Sequence, residues 1–165
     1  MEKEPENRYV PRERTVERLD IDRYMGLWYE IARFDHRFER GMDNVTAQYE
    51  RAGGNRVKVT NIGFRHGKRH LAHGKARIPD PEHPGKLEVS FFLWFYADYY
   101  VMELGEDYSY ALVGSRSPEY LWILSRTPYL PEKTLDHLLA CARERGYDTS
   151  KLIWVEQHLD GSPGK

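Results

Sequence analysis

A chain of 165 residues has room for one sizeable core but not for two full domains. Its 25 Lys and Arg against 26 Asp and Glu leave a formal charge of -1, so the basic field that attracts phosphate backbones is missing and nucleic acid is excluded as the expected partner. A single cysteine, Cys141, excludes an intrachain disulfide and any zinc site needing two thiolates, while an aromatic content of 13% favours a soluble, β-rich domain with an aromatic interior.

Residues 1–18 alternate acids and bases without an apolar period and read as a flexible arm before a domain spanning residues 19–158. The arm holds no apolar stretch of the roughly 7–15 residues a secretory leader needs and no cysteine to lipidate. As written, the chain is expected in the cytoplasm; a leader removed beforehand would move that expectation to the periplasm or outer membrane. From residue 26 onward eight short β-rich runs alternate with turn chemistry, at 26–34, 44–51, 56–64, 69–78, 86–93, 98–104, 108–115 and 119–126. Turn sequences such as Gly53-Gly54-Asn55, His66-Gly67-Lys68 and Gly105-Glu106-Asp107 make most connectors hairpins. The first connector, about residues 35–43, is longer and has the length of a lid. Leu135, Leu138, Leu139 and Ala142 then fall on one helical stripe, with Pro131 and Glu132 in the first turn and Gly146 as C-terminal cap. Cys141 lies beside that stripe and reads as a partly buried, inert thiol. The run 152–155 reads as an added edge strand, and 159–165 as a flexible tail.

Eight antiparallel strands in sequence order bring the start of the first and the end of the last to the same end. In a closed sheet these are neighbours, so Gly26 and Trp28 lie beside Arg126, whose guanidinium stacks on the indole at the barrel floor. The long loop around Phe38 and the aromatic turn Trp94-Phe95-Tyr96 fall at the opposite, open mouth. Counting by two from Trp28 places Glu30 and Ala32 inside. The same parity groups Val45, Ala47 and Tyr49; Val57, Val59 and Asn61; Leu87, Val89 and Phe91; and Tyr120, Trp122 and Leu124. The sixth strand is apolar on both faces, and Tyr100 with Met102 is the face expected inward. Small residues at 32, 47, 72, 74 and 76 favour a cavity over a filled core, with Asn61 and Tyr49 to orient a polar head group.

Gly26-Leu27-Trp28-Tyr29-Glu30-Ile31-Ala32-Arg33 resembles the opening motif of the lipocalin family, and Leu121-Trp122-Ile123-Leu124-Ser125-Arg126-Thr127-Pro128 its closing-strand motif. Phe38-Glu39-Arg40-Gly41, residues 86–92 and residues 95–99 are similar to the bacterial lipocalin (Blc) branch and its apolipoprotein D-like relatives. The resemblance covers roughly residues 19–155. It implies an all-β fold, an eight-stranded antiparallel up-and-down barrel with a C-terminal helix packed outside, binding fatty acids, lysophospholipids or similar lipids. It further implies closure roles for Trp28 and Arg126, and pocket-lining roles for Tyr24, Tyr49, Asn61, Phe91 and Trp122. The membrane-anchored bacterial members begin with a lipoprotein signal and a lipidated cysteine that are not seen here.

His66, His70 and His73 do not converge, because positions 70 and 73 face opposite sides of a strand, and no metal or cofactor is expected. Glu30 is the one carboxylate facing the lumen, where desolvation raises its pKa. The expected function is therefore a carrier or store for small hydrophobic ligands and not an enzyme. The alternatives are a lipid-modifying enzyme using Glu30, and an interaction module whose rim, Phe38, Trp94, Phe95 and Tyr96, meets a membrane surface or pairs as a homodimer.

Overall fold

The computed structural model describes residues 10–92 and 95–158. A short helix, α1 (Ile21–Tyr24), begins at Asp20, whose side chain accepts from the backbone of Asp22 and Arg23. Nine strands follow: β1 (Gly26–Phe34), β2 (Asp43–Arg51), β3 (Arg56–Arg65), β4 (Lys68–Arg77), β5 (Lys86–Phe92), β6 (Phe95–Leu104), β7 (Tyr110–Gly114), β8 (Leu121–Ser125) and β9 (Leu152–Trp154). Helix α2 (Glu132–Glu144) stands between β8 and β9.

Each strand from β2 to β7 pairs antiparallel with the next, and β1 pairs with both β8 and β2, which closes an eight-stranded barrel. The C-terminal segment fills a gap in the wall. β1 leaves β2 after Tyr29 and pairs with β9 from Ala32 onward. Beyond β9, Gln157 Nε2 bridges the two parted strands by donating to the carbonyls of Glu30 (2.7 Å) and Val45 (3.0 Å).

Two apolar clusters share the barrel wall. The inner one contains Tyr24, Trp28, Tyr49, Val57, Val59, Ala76, Leu87, Val101, Val113 and Leu124. The outer one, under α2, contains Ala32, Phe34, Tyr100, Met102, Leu112, Ile123, Leu138, Cys141 and Ala142. A wall covered on both faces is apolar on both faces, so alternation of polarity cannot set its parity. This overturns the expectation for β6: Tyr99 and Val101 face inward, while Tyr100 and Met102 face α2. A bulge between Glu30 and Ala32 likewise breaks the count in β1. Glu30 is inside as expected, Ala32 is outside, and Arg33 follows inside, wholly buried.

Within the expected flexible arm, the described stretch from residue 10 is tied to the body. Val10 donates to Glu144 O, Val16 donates to Val101 O, and Arg12 donates to Arg145 O and lies over the Tyr147 ring. Backbone pairing and cation–π packing replace the missing apolar period as the ordering force.

Candidate ligand site in the barrel

The floor is built on Trp28, which has no exposed surface and donates from Nε1 to Tyr24 O (2.9 Å). The Arg126 guanidinium lies 3.9 Å from the indole centroid and donates to four carbonyls, of Arg23 (2.6 Å), Met25 (2.8 Å), Leu27 (3.0 Å) and Tyr108 (3.1 Å). Gly26 at φ 98 permits this, because a Cβ there would stand 3.4 Å from Arg126 Nη1 in a backbone conformation that side chains disfavour.

Above the floor three phenols converge. Tyr99 OH lies 2.7 Å from Tyr24 OH and 2.8 Å from Tyr49 OH, with the Tyr24 and Tyr49 rings stacked 5.8 Å apart. Burial pushes all three hydroxyls well above the usual phenol range, so they stay neutral donors and acceptors. Together with Met25, Val57, Ala76, Leu87 and Val89 they leave a cavity of about 10 Å³.

A charged cluster crosses the upper lumen. Arg33 donates from Nη2 to Glu39 O (2.7 Å) and from both Nη atoms to Met42 O (3.2 Å each), clasping the 35–42 loop to β1. Its guanidinium also lies 3.4 Å from Asp35, 3.8 Å from Glu39 and 4.0 Å from Glu30. Glu39 Oε1 accepts from His36 Nε2 (2.7 Å) and from Trp122 Nε1 (3.1 Å), so the loop is latched to the β8 wall. Burial, and then the neighbouring Glu39 carboxylate, hold the Glu30 pKa well above the usual range. Burial opposes charge on Glu39 too, but hydrogen bonds from Glu30 and His36 and the charge of Arg33 hold it down at about 2. The two carboxyls are therefore coupled, with Glu30 pushed towards its neutral form and Glu39 towards its charged form. Asn61 sits on the lumen face between Ala47 of β2 and Ala72 of β4, and its buried Oδ1 has no donor among the described residues.

Residues 19–157 match the family model described as Lipocalin-like domain. The chain belongs to the lipocalin family. It is 45% identical over 144 residues to Outer membrane lipoprotein Blc of Escherichia coli (strain K12), covering 86% of this chain and 81% of that one. It is 40% identical over 147 residues to Temperature-induced lipocalin-1 of Arabidopsis thaliana, covering 83% and 78% respectively. Insecticyanin of the tobacco hornworm Manduca sexta shares the fold, with a TM-score of 0.75 at 22% identity over 94% of this chain and 89% of that chain. Among the described residues no helix is long and apolar enough to cross a membrane.

This lipocalin places Tyr24, Tyr49 and Val59 in its inner cluster, with Ala47 and Trp122 packed against it and Glu30 and Asn61 on the same face. Phe91 lies within the irregular stretch of β5 between Val89 and Phe92, is 37% exposed, and lies over Gly74, where a Cβ would meet its ring at 2.6 Å. Tyr100 is the misplaced member, standing outside under α2. At the mouth, Phe38 is 53% exposed on the loop, with Arg37 4.8 Å over its ring. Tyr96 belongs to β6 and not to a turn, and it lies on the outer wall against Arg77 (3.8 Å) and Lys75 (5.8 Å). Trp94 and the side chain of Phe95 fall outside the described residues. Sequence reading missed Tyr99, Arg33 and Glu39. Arg33 was hidden by the bulge, and Glu39 lies in a connector where no periodicity applies; only its place in the Phe38-Glu39-Arg40-Gly41 motif marked it.

Proposed function

We propose that this lipocalin binds one small hydrophobic ligand with a polar head group, a fatty acid or lysophospholipid, inside the barrel and acts as its carrier or store. The observation that carries this reading is the unpartnered, buried Asn61 Oδ1 on the lumen face, which it shares with an inner cluster of aliphatic and aromatic side chains below the charged cluster of Glu30, Arg33 and Glu39. A buried acceptor without a donor costs about 1–3 kcal/mol, which the glycerol hydroxyl of a lysophospholipid or the protonated carboxyl of a fatty acid recovers. Ligand pockets commonly measure roughly 300–1,000 Å³. The 10 Å³ between the three phenols and Val57, Ala76, Leu87 and Val89 is far below that, so a ligand reaching the floor displaces side chains there, Tyr99 among them.

Glu30 and Glu39 form the carboxyl–carboxylate pair that acid–base chemistry would use, which is the observation behind the enzyme alternative. Both serve the loop latch instead, through Arg33, His36 and Trp122. Relatives named outer membrane lipoprotein support a working place at the periplasmic or membrane side, where the exposed Phe38 and Phe91 at the mouth would meet the lipid surface during exchange. Native mass spectrometry of protein purified from its own host, followed by lipid extraction, tests the proposal. A stoichiometric single-chain lipid supports it. Protein that stays ligand-free even after incubation with lipid vesicles refutes it.

A further inference from the structure

Outside the barrel, three different metal-binding side chains converge where α2 packs on β6. His137 and Cys141 are one helical turn apart on α2, and Cys141 Sγ lies 3.7 Å from His137 Nε2. On a tetrahedral zinc ion, with Zn–S near about 2.3 Å and Zn–N near about 2.0–2.1 Å, a sulfur and a nitrogen ligand stand about 3.6 Å apart. The Sγ–Nε2 separation matches that spacing, and because Sγ also stands 3.9 Å from Nδ1, a turn of the imidazole is needed to aim one nitrogen at a shared ion.

The third group arrives from the barrel wall. A bulge in β6 between Val101 and Glu103 turns Glu103 outward opposite Leu112, a residue of the outer cluster, whereas regular alternation from Met102 would send it inward. Its carboxylate, the His137 imidazole and the Cys141 sulfur each present an atom within 4.8 Å of the other two. Arg145 Nη2 donates to Glu103 Oε1 (3.3 Å) and to Met102 O (3.1 Å), which fixes the carboxylate beside the Cys141 thiol. His137 is exposed and the Glu103 side chain is 31% exposed, so the cluster has an open side through which an ion and a water can reach it.

We propose that Glu103, His137 and Cys141 form a site for a zinc-class divalent cation, with water in the fourth position, which clamps α2 to the barrel wall. Carboxylate oxygen, imidazole nitrogen and thiolate sulfur together suit a borderline-soft ion of tetrahedral preference better than magnesium or calcium. Binding forms a sulfur–metal bond and releases the thiol proton to solvent. The site is independent of the lumen, because its residues belong to the outer cluster and its surface.

Metal-free protein, prepared with a chelator that is then removed, is titrated with Zn²⁺ by calorimetry and with Co²⁺ by absorption spectroscopy. The expected result is one equivalent bound, a thiolate-to-Co²⁺ charge-transfer band, and a higher Tm with Zn²⁺. Cys141→Ser abolishes the band, and His137→Gln, on the exposed helix face, weakens Zn²⁺ binding at least tenfold. His158→Asn, at a separate group with Asp43 and Glu156, leaves both readings unchanged. No saturable binding, no charge-transfer band in the wild type, or Zn²⁺ affinity within twofold of wild type in His137→Gln overturns the proposal.

Discussion

Replacing Arg126 with alanine should weaken the barrel without redirecting its chemistry. The guanidinium ties together α1, the start of β1 and the turn before β7 through four carbonyls, and covers the Trp28 indole from 3.9 Å. A charged hydrogen bond contributes about 1.5–3 kcal/mol when buried, but Arg126 is only partly buried and water replaces it at the carbonyls, so roughly 0.5 kcal/mol per bond survives. Adding about 1 kcal/mol for the cation–π contact gives roughly 3 kcal/mol in all. For a chain of this length that lowers Tm by about 6–12 °C. Urea unfolding followed by far-UV circular dichroism measures the loss, which should appear as a lower midpoint at unchanged slope. Arg126→Lys keeps the charge without the planar fork and should recover less than half of it. An Arg126→Ala protein within about 0.5 kcal/mol of wild type, or one of unchanged stability that no longer binds lipid, refutes the assignment of this residue to the floor.

Three further outcomes follow from the interior. Glu30 keeps its proton in the folded state far above the unfolded value of about 4.3, so the stability it contributes is complete below that pH and is lost as pH rises towards its folded pKa. Glu39 has the opposite sign, its contribution being present above about 4.3 and lost as pH falls towards about 2. Glu30→Gln mimics the neutral carboxyl and should match or exceed wild-type stability at pH 8, with a flatter decline above neutrality; a loss above about 2 kcal/mol at that pH contradicts a neutral Glu30. Glu39→Ala removes the acceptor for His36 and Trp122 and should expose the 35–42 loop to trypsin at Arg37 and Arg40, several-fold faster than in wild type; equal cleavage rates would mean that Glu39 is no latch. Tyr99→Phe leaves the Tyr24 and Tyr49 hydroxyls without their common partner at about 1–3 kcal/mol, and an unchanged unfolding midpoint would contradict that network.

Much of the barrel was legible because its alternation is one-sided where one face meets water. Lys58 and Lys75 alternate with Val57, Val59, Gly74 and Ala76, and those strands were read in their true parity. Strand β6 has no such contrast, since α2 hides its outer face. The short helix α1 has too few residues to show a period and was not read from the sequence. Within the site, Tyr49, Asn61 and Trp122 followed from alternation and from the family motifs together. Glu30 was found as a lone lumen carboxylate, but its partner was not, because contact between Glu30 and Glu39 depends on how a nine-residue strand and a connecting loop fold back on each other. Arg33 was one residue out of phase for the same reason that Ala32 was misplaced, the bulge beside Glu30.

The most direct test of the lipid-carrier reading is a calorimetric titration of the full chain with lysophospholipids and fatty acids, paralleled by tryptophan fluorescence in wild type and Trp122→Phe. Burial of a single acyl chain yields about 0.8 kcal/mol per CH₂ before ordering costs, so one-to-one binding at low-micromolar Kd or tighter is predicted. The fluorescence change should be largely lost in Trp122→Phe while the binding heat persists. Heats that never saturate for any of these lipids would contradict ligand binding in this lumen.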